Sequence, residues 1–285
     1  MTSRESIVTF EPNTRQRTGF FRSLVAMAGN IVRSRELIWQ LFIRDFLANY
    51  KKSFLGTSWI ILAPIFGILS WVFMNYAGVL RPGDVGMPYP AYILLGTALW
   101  GLFMSFYQGA AETLNVGQGF ITQVHYPHEA LLAKQILQQL VNFLVGFAVI
   151  VIALLFFRVV PSWQIFLLPV LILPMLFLGA GLGLLVSVIG VVAIEVRRMT
   201  DIVLGMLLFF TPIIYAPNAT SGLIARLIRI NPLTYAVGSV RDAVAYGRIS
   251  DLGVFVWMGV GALFFFLLAW RLFYVAEEKV IEKML

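Results

Sequence analysis

His125 and His128 stand three residues apart, a spacing that two ligands of one metal ion would share, with Tyr126, Pro127 and Glu129 around them. No third ligand lies near, and these are the chain's two histidines, so a loop contact to a partner is the stronger reading and no metal site is expected. Cysteine is absent, which excludes disulfides, thiolate metal sites and cysteine nucleophiles. No glycine-rich loop is followed by Lys and Ser or Thr, so the chain has no nucleotide site of its own. Glu112, Glu195 and Asp201 fall near the ends of long neutral runs, which argues against a proton- or sodium-coupled carrier. Bond chemistry is therefore not expected here, and the energy source must lie in another subunit.

The elements that hold these residues follow from composition. Of 285 residues 60% are apolar and 12% charged, whereas soluble domains hold about 45–50% and about 25%. The net charge of +7 does not indicate nucleic acid, because the charges fall in short clusters between long neutral stretches. A β-barrel would alternate polar and apolar residues, and these runs are apolar on every side. The expected fold is an all-α polytopic membrane protein with six transmembrane helices, at about 57–80, 90–113, 130–157, 163–194, 200–216 and 252–273. Pro161 marks a short loop before the fourth span, and Pro169 and Pro174 are placed to bend it. Lys and Arg number 15 against six when both termini are cytoplasmic, and that sets the expected orientation.

Three regions flank or interrupt the spans. Residues 1–29 read as a polar cytoplasmic arm, and 30–52 as an amphipathic interfacial helix. Its basic residues Arg33, Arg44, Lys51 and Lys52 suit anionic lipid. Residues 118–128 form a short cytoplasmic loop holding a brief helix, with Glu112 paired to Lys134 beside it. Glu195, Arg197, Arg198 and Asp201 read as a charged hairpin end between spans four and five.

Pro212 and Pro217 break the fifth span near its outer end. Between spans five and six, 218–250 keeps four arginines and reads as two short re-entrant helices, with Asn231 capping the helix that Pro232 opens. Such pieces border a pathway, because irregular backbone at membrane depth needs a cavity. Phe103, Phe106 and Tyr107 on span two, and Tyr215 on span five, offer ring faces to sugars; the plainer reading is packing bulk. Small residues crowd 178–187 and allow close helix approach, within one subunit or across a dimer.

Leu41-Phe42-Ile43-Arg44-Asp45-Phe46 with Tyr50-Lys51, Leu55-Gly56-Thr57-Ser58-Trp59 continuing to Pro64, Tyr126-Pro127, and Asn231-Pro232-Leu233-Thr234-Tyr235 with Arg241-Asp242 carry a resemblance. The chain resembles the membrane subunit of type-2 ABC exporters for bacterial polysaccharides, the O-antigen, capsule and teichoic acid permeases. That resemblance implies a multi-pass protein of the bacterial inner membrane, with a cytoplasmic tail at 276–285. It implies a homodimer joined to two copies of a cytoplasmic ATPase that holds ATP and Mg²⁺. Phe120, Gln123, His125, Tyr126, Pro127 and His128 would form the coupling segment on that ATPase. Asn231, Pro232, Tyr235 and Arg241 would sit in the outer cap of a channel for a polymer carried on undecaprenyl lipid. The alternatives are teichoic acid or capsule export, a small-molecule or drug permease of the same type, and a membrane scaffold that transports nothing.

Overall fold

A computed structural model describes residues 18–51, 59–114, 128–190, 193–219, 221–249 and 251–284. They are helical and connecting segments, with no strand among the described residues. In chain order the helices are α1 (Phe20–Arg33), α2 (Arg35–Lys51), α3 (Trp59–Tyr76), α4 (Tyr89–Ala111), α5 (His128–Phe156), α6 (Leu168–Leu171) and α7 (Leu173–Gly190). There follow α8 (Ile194–Leu207), α9 (Gly222–Ile230), α10 (Pro232–Tyr246) and α11 (Leu252–Met284). Four helical stretches are long and apolar enough to cross a membrane: 89–111, 129–156, 163–190 and 252–276. Helix α3 is shorter, 18 residues, and largely apolar, with Ser70 and Asn75 as its polar positions.

Helix α4 is the axle of the bundle. It packs on α3, α5, α7 and α10, and 16 of its positions are buried. Its closest neighbour is α7, and the small residues of 178–187 explain why. A Cβ on Gly179 would lie 2.8 Å from the Phe103 carbonyl oxygen. One on Gly183 would run into the Tyr107 carbonyl and Ala110, while one on Gly181 would meet the Phe265 ring at 2.9 Å. These glycines therefore serve packing inside the subunit: two faces of α7 press backbone to backbone on α4 and ring to backbone on α11.

Several expected boundaries move. Residues 20–29, assigned to a polar arm, are helical, and the lead-in is two helices split at Ser34 (φ −92°, ψ 11°). The strongly amphipathic one is α1: Phe21, Val25 and Val32 share one exposed face while Ser23 and Met27 are buried. Helix α2 has Leu37, Ile38, Trp39, Leu41, Phe42 and Ile43 spread around its circumference, which blunts any single apolar face. The long 163–194 stretch is a 3₁₀ turn (Trp163–Leu167), α6 and then α7, with Pro169 and Pro174 each second in its helix.

The fifth span departs most from expectation. Extended Ala193 (φ −139°, ψ 93°) ends the connection, and α8 starts at once, so Glu195, Arg197, Arg198 and Asp201 occupy its first turns rather than a hairpin gap. Glu195 near the helix N-terminus suits the dipole. The helix stops at Leu207, and one 3₁₀ turn (Leu208–Phe210) leads into extended Thr211 (φ −116°, ψ 130°). The residue before a proline is driven out of the helical region, and Pro212 follows.

Candidate functional site

Two ends of the bundle are distinguished by what they carry. The arm end holds α1, α2 and the start of α8; the cap end holds residues 80–88, 158–166, 211–219, α9 and α10.

The face of α4 turned away from α7 links them. Thr97, Gly101, Ser105, Gln108 and Glu112 recur at helical spacing and form one partly or fully exposed stripe. The hydroxyls of Thr97 and Ser105 donate to the Ile93 and Leu102 carbonyls at 2.7 and 2.8 Å, so each is satisfied and keeps an acceptor facing outward. Beside the stripe, between α4 and α5, lies a groove of about 260 Å³ in which Gly101, Ser105, Gln139, Asn142 and Gly146 stand among the apolar Ala98, Leu102, Phe143, Phe147 and Ile150. Much of the exposed surface of the flanking helices is apolar, including Phe66, Leu69 and Phe73 of α3 and Leu144, Ile152 and Phe156 of α5. A polar stripe among such helices has no use against lipid and suits a wetted path. Sequence reading missed it, although the signal was present as polar or small residues repeating every three or four positions.

The aromatic residues expected to line that path are elsewhere. Phe103, Phe106 and Tyr107 are 3%, 1% and 0% exposed. They lie on the α7 side, where Gly179 and Gly183 accept α4, and the plainer packing reading replaces the sugar-contact reading. The Tyr107 hydroxyl donates to Asp201 Oδ1 at 2.8 Å, which ties α4 to α8. Glu112 pairs with Arg197 of α8, not with Lys134. Lys134, almost fully buried at the start of α5, instead pairs with Asp45 of α2, which Arg44 also contacts. Burial pushes the Asp45 carboxyl up, but hydrogen bonds and charge from Arg44 and Lys134 outweigh it and hold the group below its usual 3.8. The Asp45 carboxyl is therefore ionised at neutral pH.

Of the other basic positions, Arg33 is exposed at the end of α1 and Arg44 is exposed on α2. Lys51 is the last residue of α2, and Lys52 lies outside the described residues. Phe120, Gln123, His125, Tyr126 and Pro127 also lie outside them, and His128 is the first residue of α5.

The cap end brings together Tyr215, Asn231, Pro232, Tyr235 and Arg241. The non-helical stretch after α8 exposes carbonyls that need donors. Tyr92 of α4 donates to the Pro212 and Tyr215 carbonyls at 3.0 and 2.7 Å, and Tyr89 to that of Ile214 at 3.0 Å. Buried Arg241 of α10 donates to the Pro212 carbonyl at 3.0 Å, and its guanidinium stands 3.8 Å over the Tyr92 ring.

Asn231 caps α10 by accepting from the Leu233 N–H, and donates to the Phe210 carbonyl and Thr211 Oγ1. Pro232 opens α10, as expected. The Tyr215 hydroxyl donates to Phe209 and that of Tyr235 to Arg229. Gly247 ends α10 in the left-handed region (φ 64°), and its carbonyl accepts from Gln164. A cavity of about 550 Å³ opens beside the clasp, with Tyr92, Tyr235, Tyr246, Arg229 and Asp84 in its wall.

Asn231→Ala removes a cap and two ties at once. It is expected to lower stability by about 2 kcal/mol, read as a lower midpoint for thermal unfolding in detergent. Asn231→Asp keeps the cap acceptor and should recover part of that loss.

Comparison with known proteins places these features in context. The ABC-2 type transporter family matches residues 36–245, which include α2, the polar stripe and the clasp. An O-antigen export system permease protein RfbA of Myxococcus xanthus is 23% identical over 230 residues, covering 80% of this chain and 87% of that protein. An RfbA of Klebsiella pneumoniae is 22% identical, covering 79% and 86%. The polysialic acid transport protein KpsM of Escherichia coli is 23% identical, covering 74% and 82%.

Proposed function

The chain belongs to the ABC-2 type transporter family, and from that premise we propose that it is the membrane subunit of an ATP-driven exporter of undecaprenyl-linked, O-antigen-like polysaccharide. The observation that carries the reading is the polar stripe from Thr97 to Glu112 on the central helix of an otherwise apolar bundle. A stripe of hydroxyl, amide and glycine backbone offers many weak hydrogen-bonding positions and no fixed deep charge until Glu112. A hydroxylated polymer moves over such a surface without being held at one point. The relatives' printed names, O-antigen export permease and polysialic acid transport protein, support the same class of cargo.

In this reading the subunit works as a homodimer in the inner membrane, with six spans and both termini cytoplasmic. Helix α3 and the α8 region complete the six. Two cytoplasmic ATPase subunits hold ATP and Mg²⁺ and press on the segment around Tyr126. That push reaches α4 and α5, which flank the segment, and α8 through the Tyr107–Asp201 and Glu112–Arg197 contacts. The re-entrant pair α9–α10 closes the outer end.

The test is reconstitution with the ATPase encoded beside this gene, followed by ATP hydrolysis with and without undecaprenyl-linked polysaccharide. Stimulation that disappears in Tyr126→Ala supports the exporter. A folded complex that ignores every lipid-linked glycan points to a small-molecule exporter, and failure to bind the ATPase removes the transporter reading.

A further inference from the structure

A second polar cavity, of about 390 Å³, lies at the arm end under α2. Its wall is Asp45 and Ala48 from α2 with Lys134, Gln135, Gln138, Gln139 and Asn142 from α5. Four amides, a carboxylate and an ammonium around one cavity are unusual on helices this apolar, even though Gln135 and Gln139 also lie against Gly109 of α4 and Lys134 ties α5 to α2. Gln139 and Asn142 also line the groove between α4 and α5, so the cavity leads into the polar stripe. Gly101 and Gly146 keep that groove open, since a Cβ on either would meet nothing within 4 Å.

The chemistry of the wall selects the ligand. Lys134 is neutralised by Asp45, whose carboxylate would repel an anion, so a bare phosphate is a poor fit. Gln138 is buried, gives its amide N–H to Asn142 Oδ1 at 3.3 Å, and its Oε1 has no hydrogen-bond partner among the described residues. That oxygen is sealed from the cavity, so Gln138 serves to hold the Asn142 amide, while Gln135, Gln139 and Asn142 present their amides to the open space. Sugar hydroxyls donate and accept together, as carboxamides do.

We infer that this cavity between α2 and α5 is a binding site for a hydroxylated sugar unit at the arm end, where the exported glycan enters the groove. The inference rests on the exporter reading above. It assigns recognition to Asp45, Gln139 and Asn142, with Gln138 as a positioning residue behind Asn142, and it gives α2 a task beyond lying on the membrane: it forms one wall of the entry site.

The test uses the full chain with its ATPase in cells that make the polymer. The photo-reactive residue p-benzoylphenylalanine replaces Gln139 in the cavity, Gln108 in the stripe, or exposed Ile152 on the apolar side of α5. After irradiation the purified subunit is probed for attached glycan. Adducts are expected at Gln139 and Gln108 and not at Ile152. Adding Gln138→Leu removes the partner that holds Asn142 and should lower the Gln139 adduct about tenfold, the loss of about one hydrogen-bonding group, and leave the Gln108 adduct in place. An adduct extracted into organic solvent comes from lipid-linked polymer, and one that stays in water comes from free saccharide. Glycan at Gln108 alone, or a Gln139 adduct that Gln138→Leu does not change, overturns the site while the exporter reading stands. No glycan at either position overturns both.

Discussion

Gly183→Leu is expected to leave no folded protein in the membrane. At this position α7 presses on the backbone of α4 itself, against the Tyr107 carbonyl, the Ala111 N–H and the Ala110 methyl. A flexible neighbour could swing aside, but two helix backbones can only separate. Separation would strip contacts from Phe103, Phe106 and Tyr107, three deeply buried rings of α4. Overpacking costs about 1–3 kcal/mol where side chains can adjust. With backbone on the far side we place the cost at the top of that range or beyond, against a total of about 5–15 kcal/mol. Loss of the subunit from membranes, with a milder defect for Gly183→Ala, checks this. Wild-type amounts of Gly183→Leu would show that α4 and α7 are not packed this closely.

The opposite result is expected on the face of α4 turned away from α7. Gly101→Trp should leave folding and ATPase binding intact and stop transport. Gly101 is exposed and a Cβ there meets nothing within 4 Å, so the indole has room, and what it fills is the groove beside the stripe. A fall in polymer export of at least about tenfold, equivalent to ~1.4 kcal/mol on the barrier, is expected at unchanged protein level. Gly67→Trp on α3, where a Cβ likewise meets nothing, controls for bulk alone. Equal export by both variants would place the path away from α4.

These glycines show how far the sequence could be read. That 178–187 allowed close helix contact was plain from its small residues, but the partner was not, because a helix of one apolar character gives no sign of which side meets which neighbour. The rings at 103, 106 and 107 were misplaced for the same reason: nearly every position of α4 is apolar, so the few polar ones carried the directional information. Asn231 and Pro232 were legible because a cap followed by a proline has a local physical meaning. The end of α8 was half legible. Pro212 announced a break, while the departure from helix at Leu208 depends on Thr211 and on the donors waiting around it. The split lead-in escaped notice because Ser34 is no strong breaker, and its turn is bridged by ordinary hydrogen bonds to Asn30 and from Ile38.

The clasp at the cap end also sets an order for biosynthesis. The carbonyls of Phe210, Pro212, Ile214 and Tyr215 take their donors partly from Tyr89 and Tyr92, made earlier, and partly from Asn231 and Arg241, made later. The stretch from α8 to Tyr215 is thus incomplete when its own last residue leaves the ribosome. Until Arg241 has been synthesised and folded back, the Pro212 carbonyl has one of its two donors, and the segment must be sheltered by water or by the insertion machinery. A ribosome stalled before Arg241 should hold a nascent chain in which α4, α5 and α7 are settled and the segment after α8 is still without its full set of donors.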